Sequence, residues 1–181
     1  MREGNVVESE FRRRLVELLP RLMRFARVLT GSRDEAEDLT QAACERALAR
    51  IGQWQPDTRL DSWMFRIMQT VWLNDLRGRR VRDRHRAQLS FSDAGQVAPS
   101  AEGRLMLSEV AAKVMALPPE QRLVLMLVTV EGLSYREAAE VADIPIGTVM
   151  SRLARARLGL MRAIGESESA IPDNVVRMGL K

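Results

Sequence analysis

Cysteine and histidine occur once each in this 181-residue chain, as Cys44 and His85, and lysine only twice. One cysteine excludes a disulfide framework, and one cysteine with one histidine excludes a self-contained four-ligand zinc site. No metal-ligand cluster, glycine-rich phosphate loop or nucleophile-with-histidine arrangement is present, so the chain is not expected to be an enzyme or to hold a cofactor or metal. Aromatic residues make up only 4% of the chain. A core must therefore be built from Leu, Val, Ala, Ile and Met, which favours helices over sheets. No long apolar run follows Met1, so neither a signal peptide nor a membrane span is expected, and the reading is cytoplasmic.

What is abundant is arginine. All but two of the 28 basic residues are arginine, and the formal net charge of +4 hides a partition. Residues 77–86 contain Arg77, Arg79, Arg80, Arg82, Arg84 and Arg86 against one acid, Asp83. The planar guanidinium fork suits phosphate recognition. A genome rich in G and C would produce the same bias.

Residues 133–163 read as a helix-turn-helix. Ser134 with Glu137 makes a capping box, small residues Ala138, Ala139 and Ala142 admit a second helix closely, and Pro145 opens that helix. On it Val149, Leu153, Ala156 and Leu160 recur at core spacing, while Thr148, Ser151, Arg152 and Arg155 take the other side. Such a face suits the major groove, where Arg reaches guanine edges and phosphates and hydroxyls meet backbone oxygens. The alternative is an amphipathic helix with a solvated arginine face.

Upstream, Phe11, Leu15, Leu18, Leu22, Phe25 and Leu29 predict a helix over 8–30, with Pro20 either kinking it or starting a second one. Gly31 ends that stretch, and Ser32 with Glu35 predicts a second capping box for a helix to about Ile51. Asp34, Glu35, Glu37 and Asp38 suit its dipole; with Gln41 and Glu45 they make either a solvated face or a docking face for a basic partner. Residues 52–60 read as a loop, and Trp54, off any apolar stripe, is free there to stack on something. A helix from about Asp61 carries Leu60, Trp63, Met64, Ile67, Met68, Val71 and Trp72 as one stripe and runs into the arginine cluster.

Residues 87–104 lack periodicity and read as a flexible linker. Helices over 105–117 and from Pro119 to about Glu131 follow, with Gly132 before the helix-turn-helix. The fold class is all-α: two small helical domains, 8–86 and 105–165, joined by that linker, with a fraying tail at 166–181.

Both halves together resemble the extracytoplasmic-function sigma factors of the sigma-70 family, over roughly residues 8–165. Asp34-Glu35-Ala36-Glu37-Asp38-Leu39-Thr40-Gln41, then Ser62-Trp63-Met64-Phe65-Arg66-Ile67 and the arginine-rich end, resemble region two. Leu117-Pro118-Pro119-Glu120-Gln121-Arg122, then Gly132-Leu133-Ser134-Tyr135 and Gly147-Thr148-Val149-Met150-Ser151-Arg152-Leu153, resemble region four. The resemblance implies a dissociable specificity subunit that binds RNA polymerase core and promoter DNA and is held by an anti-sigma protein. It makes Asp38, Gln41 and Glu45 the face for the polymerase clamp helices. It assigns Trp54, Arg59, Arg66, Thr70, Arg77, Arg79 and Arg80 to the −10 element, and Thr148, Met150, Ser151, Arg152, Arg155 and Arg157 to the −35 element.

Three residues depart from the family's pattern. Thr70 stands where Asn is frequent, Met150 where Lys or Arg is frequent, and Asp143 where the turn often has Gly; promoter preference is expected to differ while the turn survives. A different class, a stand-alone helix-turn-helix repressor or activator with an N-terminal ligand or dimerisation domain, would predict a homodimer on a palindrome.

Overall fold

The computed structural model describes residues 2–56, 58–89 and 107–168. Within these the chain forms α1 (Arg2–Thr30), α2 (Arg33–Leu48), a 3-10 turn (Ile51–Gln53), α3 (Leu60–Leu89), α4 (Leu107–Ala116), α5 (Pro119–Leu125) with a π-helical turn (Met126–Val130), α6 (Tyr135–Ala142) and α7 (Ile146–Glu168). Of the linker expected at 87–104, residues 87–89 belong to α3, and 90–104 lie outside the described residues. Likewise α7 takes in 166–168, and the remainder of the tail lies outside the described residues, as do the Arg80 and His85 side chains.

α1 is one continuous helix with Pro20 inside it. Pro20 lies on the exposed side, and Val16, whose carbonyl loses its partner to the proline ring, is 64% exposed, so water can replace the missing bond. The opposite side buries Phe11, Leu15, Leu22, Phe25, Ala26 and Leu29 against α2 and α3. Gly31 then takes φ +79° and reverses the chain, its N–H bonding the Arg27 carbonyl at 2.9 Å.

The cap of α2 is half of the expected box. Ser32 accepts from the Glu35 N–H at 3.5 Å, but the Glu35 carboxylate instead takes Arg79 at 2.6 Å. Pro118-Pro119 starts α5, which was expected to continue regularly to Glu131; it widens instead, and the Glu131 N–H bonds the Met126 carbonyl five residues back at 3.0 Å.

The expectation of two helical halves holds, but they do not stand apart. α3 packs on α6, and α1 on α4 and α5, so the buried apolar residues of both halves form one cluster. Met115 of α4 sits so close to the α1–α2 turn that a Cβ on Gly31 would stand 2.3 Å from its Cε. Arg122 of α5 is buried over the Trp72 ring of α3, 5.9 Å from its centroid, and donates to the Met115 carbonyl at 3.1 Å.

Candidate nucleic-acid interface

The helix-turn-helix forms as its local sequence requires. Ser134 Oγ accepts from the Glu137 N–H at 3.2 Å while the Glu137 carboxylate accepts from the Ser134 N–H at 2.8 Å. These hydrogen bonds, together with Arg59, hold the Glu137 carboxyl below its ordinary range. Asp143 ends α6 in the left-handed conformation, φ 54° and ψ 49°, and the Pro145 carbonyl opens α7 by accepting from the N–H groups of Thr148 and Val149 at 2.8 and 3.2 Å.

α7 buries Val149, Leu153 and Ala156 against the second half. Thr148, Ser151, Arg152 and Arg155, three and four residues apart, therefore share one solvent flank, with Ser151 and Arg155 exposed and Thr148 and Arg152 half-buried. Met150 and Arg157 are also exposed, but they are seven residues apart on the other flank, beside Met161. The structure thus groups four of the six residues expected at the −35 element and separates these two from them.

The same helical arithmetic places Ser62, Arg66, Thr70 and Arg77 along one face of α3, in line with Arg59 just before its first turn. Arg66 is exposed, and its carbonyl accepts from the Thr70 hydroxyl at 2.8 Å, which fixes the Thr70 rotamer. Among the described residues Arg77 reaches only the Asn74 carboxamide, at 3.3 Å. Arg79 turns away from this face toward α2 and is held by Glu35 at 2.6 Å and Asp75 at 2.7 Å, so it acts as a tie within the first half.

Trp54 corrects the expectation of a free stacking surface. It is 4% exposed, its ring edge-on to Phe11 at 5.3 Å, with Arg14 over it at 5.7 Å. The polar loop around it gives no hint of this, because its burial depends on α1 passing over the loop. Its Nε1 and the nearby Ser62 Oγ are buried without a hydrogen-bond partner among the described residues. Both residues line a cleft of about 420 Å³ together with Arg59, Trp63 and Arg66.

The far wall of that cleft comes from α6. Glu137, Glu140 and Val141 line it, a contribution that the sequence reading missed because Glu137 was assigned only to a cap. Arg59 bonds Glu137 at 2.6 Å and Asp61 at 2.9 Å. Burial pushes the Asp61 carboxyl up, but hydrogen bonds from Arg59, the Ser62 N–H and Arg21 outweigh it and hold the group below the usual range.

The acidic face of α2 stands clear of all this. Ala36, Leu39, Thr40, Ala43 and Ala47 face inward, leaving Asp38, Gln41 and Glu45 exposed, with Gln41 donating to Glu45 at 2.9 Å. Burial raises the Cys44 thiol between them, which keeps it protonated. Among the described residues no group of acidic, His and Cys side chains could hold a metal ion, and no helix is long and apolar enough to cross a membrane.

Comparison with known proteins locates both regions. A family model described as sigma-70, region 4 matches residues 107–160, and one described as the Sigma2 domain of PhyR matches residues 15–69. The chain is 35% identical over 165 residues to the ECF RNA polymerase sigma factor EcfG of Rhodopseudomonas palustris (strain TIE-1), covering 90% of this chain and 91% of that protein. It is 34% identical over 144 residues to the RNA polymerase sigma-H factor of Pseudomonas aeruginosa, covering 72% of this chain and 73% of the relative. Among solved structures it is similar to the sigma factor RpoE of Bartonella quintana in complex with the anti-sigma factor NepR, with TM-score 0.71, 29% identity, and coverage of 86% of this chain and 97% of that one.

Proposed function

We propose a division of labour within this chain, which belongs to the extracytoplasmic-function sigma factors of the sigma-70 family. As a sigma factor it binds RNA polymerase core and directs it to promoters, and it is controlled by an anti-sigma partner of the kind seen with its Bartonella relative. The stand-alone regulator is not favoured, since the family relationship spans 90% of the chain and takes in the half that reading would give to a ligand or to dimerisation. We take its place of work to be the cytoplasm and its role to be non-catalytic.

The second half, 105–165, serves the −35 element. Thr148, Ser151, Arg152 and Arg155 on one flank of α7 are the residues that enter the major groove, Arg155 and Arg152 to guanine edges or phosphates and the hydroxyls to backbone oxygens. Met150 and Arg157 flank that contact.

The first half, 8–86, serves the −10 element through Arg59, Arg66, Thr70 and Arg77. The arginines track the single-stranded backbone, and the cleft beside Trp54 and Ser62 receives an extruded base. The observation that carries this reading is the pair of buried donors at that cleft, without a partner among the described residues, which have hydrogen bonds to offer a base edge. Unstacking a base requires a few kcal/mol, which these bonds and the phosphate contacts offset without nucleotide hydrolysis. Asp38, Gln41 and Glu45 form the polymerase face.

The test is co-elution of the purified chain with bacterial core RNA polymerase, followed by transcription from a genomic fragment library. Initiation from fragments sharing two spaced elements is the expected result. Tight duplex binding by the chain alone, with no association with core, would overturn it.

A further inference from the structure

The flank of α7 assigned to the −35 element does not stop at Arg155. Seven residues turn a helix to within about 20° of two full turns, so Arg162 lies in line with Arg155, as Arg155 lies in line with Thr148. Arg155 and Arg162 are both exposed, and Arg162 has no ion-pair partner among the described residues. The backbone beneath it is held in place. Leu160, two residues before and on the opposite side of the helix, packs against the core, and a Cβ on Gly159 would stand 3.3 Å from Leu117 Cδ2, just after α4. α7 runs on to Glu168, whereas the match to sigma-70 region 4 ends at residue 160.

We infer that Arg162 is a phosphate anchor beyond the major groove, which strengthens binding at the −35 element without reading its sequence. The inference rests on the −35 assignment under Proposed function. Thr148 and Arg155 are separated by about 10 Å along the helix axis, close to the groove width of about 12 Å. A recognition helix enters the groove with its N-terminal residues on the base edges, so the flank from Thr148 to Arg155 spans the groove floor. Arg162, about 10 Å further along the same line, then stands over the phosphate ridge that bounds the groove. A guanidinium there donates two parallel hydrogen bonds to phosphate oxygens, which fixes the far end of the helix on the duplex. Phosphates are the same at every base pair, so this contact adds affinity and carries no sequence preference.

The test uses holoenzyme reconstituted from the full chain and bacterial core RNA polymerase. The probes are fluorescent promoter duplexes carrying the two elements recovered from the fragment library, and the same duplexes with single-base substitutions in the −35 element. Binding is measured between about 50 and 200 mM salt. Arg162→Ala puts a better helix former at an exposed position, so it should fold as the parent does. Arg24→Ala makes the same change in net charge at an exposed position on α1, and Arg162→Lys keeps the charge in place. The expected result is that Arg162→Ala binds every duplex more weakly by one common factor. That factor should shrink about threefold across the salt range, as loss of a single phosphate contact requires, while Arg24→Ala and Arg162→Lys keep the parent's salt dependence.

A salt dependence unchanged by Arg162→Ala, or a loss confined to some of the −35 sequences, overturns the anchor. The assignment on which it rests is read separately. If Arg152→Ala and Arg155→Ala both discriminate among the −35 sequences as the parent does, the groove assignment fails, whatever Arg162→Ala does to the salt dependence.

Discussion

Arg122 lies over the indole of Trp72, fifty positions earlier in the chain, and thereby joins the two halves through a buried cation with no carboxylate among its described partners. Burial lowers the pKa of this guanidinium, and its Nε finds no acceptor among the described residues. Its contribution is therefore packing and ring contact set against desolvation.

Arg122→Ala should destabilise the chain by about 2 kcal/mol or more, because it removes both the stem and the ring contact. Arg122→Met keeps the stem and discards the unmet N–H, so it should stay within about 1 kcal/mol of the parent. Urea unfolding of the two variants separates these outcomes. An Ala variant as stable as the Met variant would remove Arg122 from the interface argument.

Two glycines at positive φ differ in one respect. Gly132, at φ +69°, has nothing within 4 Å of a Cβ position, whereas Gly31, at φ +79°, has Met115 there. Gly132→Ala should lose only the left-handed preference, about 1–2 kcal/mol, and Gly31→Ala should lose more. Adding Met115→Ala should narrow the gap between Gly31→Ala and its own reference while leaving the φ penalty. Thermal unfolding of the four variants checks this.

Within α7, stability and recognition should separate. Leu153 is 2% exposed, and Leu153→Ala should destabilise the second half by about 2–5 kcal/mol through the cavity it leaves. Arg155→Ala, at an exposed position, should leave unfolding unchanged and weaken promoter binding by about 1–3 kcal/mol where it reaches a base edge. Calorimetry and a binding titration on the same preparations are the readouts. Loss of stability in the Arg155 variant would count against its placement in the groove.

Acid should loosen the chain. Glu10 is lowered to about 2 by hydrogen bonds from Arg13 and Arg14, and Asp61 and Glu137 are held below their ordinary values as described above. A carboxyl lowered in the folded state stabilises it fully above the unfolded-state pKa, and that stabilisation is lost as pH falls through the folded value. The urea midpoint should therefore fall from about pH 6 to about pH 3, and Glu137→Gln should reduce that fall. Carboxyl NMR should place the Glu10 titration midpoint at about 2.

The polymerase face admits a charge test. Asp38 and Glu45 are exposed on α2, so Asp38→Lys and Glu45→Lys should change unfolding by no more than about 0.5 kcal/mol. Core association, measured by co-elution, should weaken in both. Undiminished association would move the polymerase contact elsewhere.

What the sequence by itself determined is whatever is settled within a few residues along the chain. The apolar spacing of Phe11 to Leu29 and of Val149 to Ala156, the Ser134–Glu137 box, and the chain reversals at Gly31 and Gly132 all formed as read, because helix faces, caps and left-handed turns are local properties. The four-residue flank of α7 follows from the same arithmetic. Tertiary structure decided which of the arginines remain available. Arg59 meets a carboxylate 78 residues away, Arg21 one 110 residues away, and Arg79 the very glutamate expected to complete a cap. Trp54 was hidden by Phe11 of α1, more than forty positions before it in the chain. Ion pairing and burial depend on distances between groups that only folding brings together, so the same exposed-looking pattern can yield an exposed side chain, a tie within one half or an ion pair between the halves.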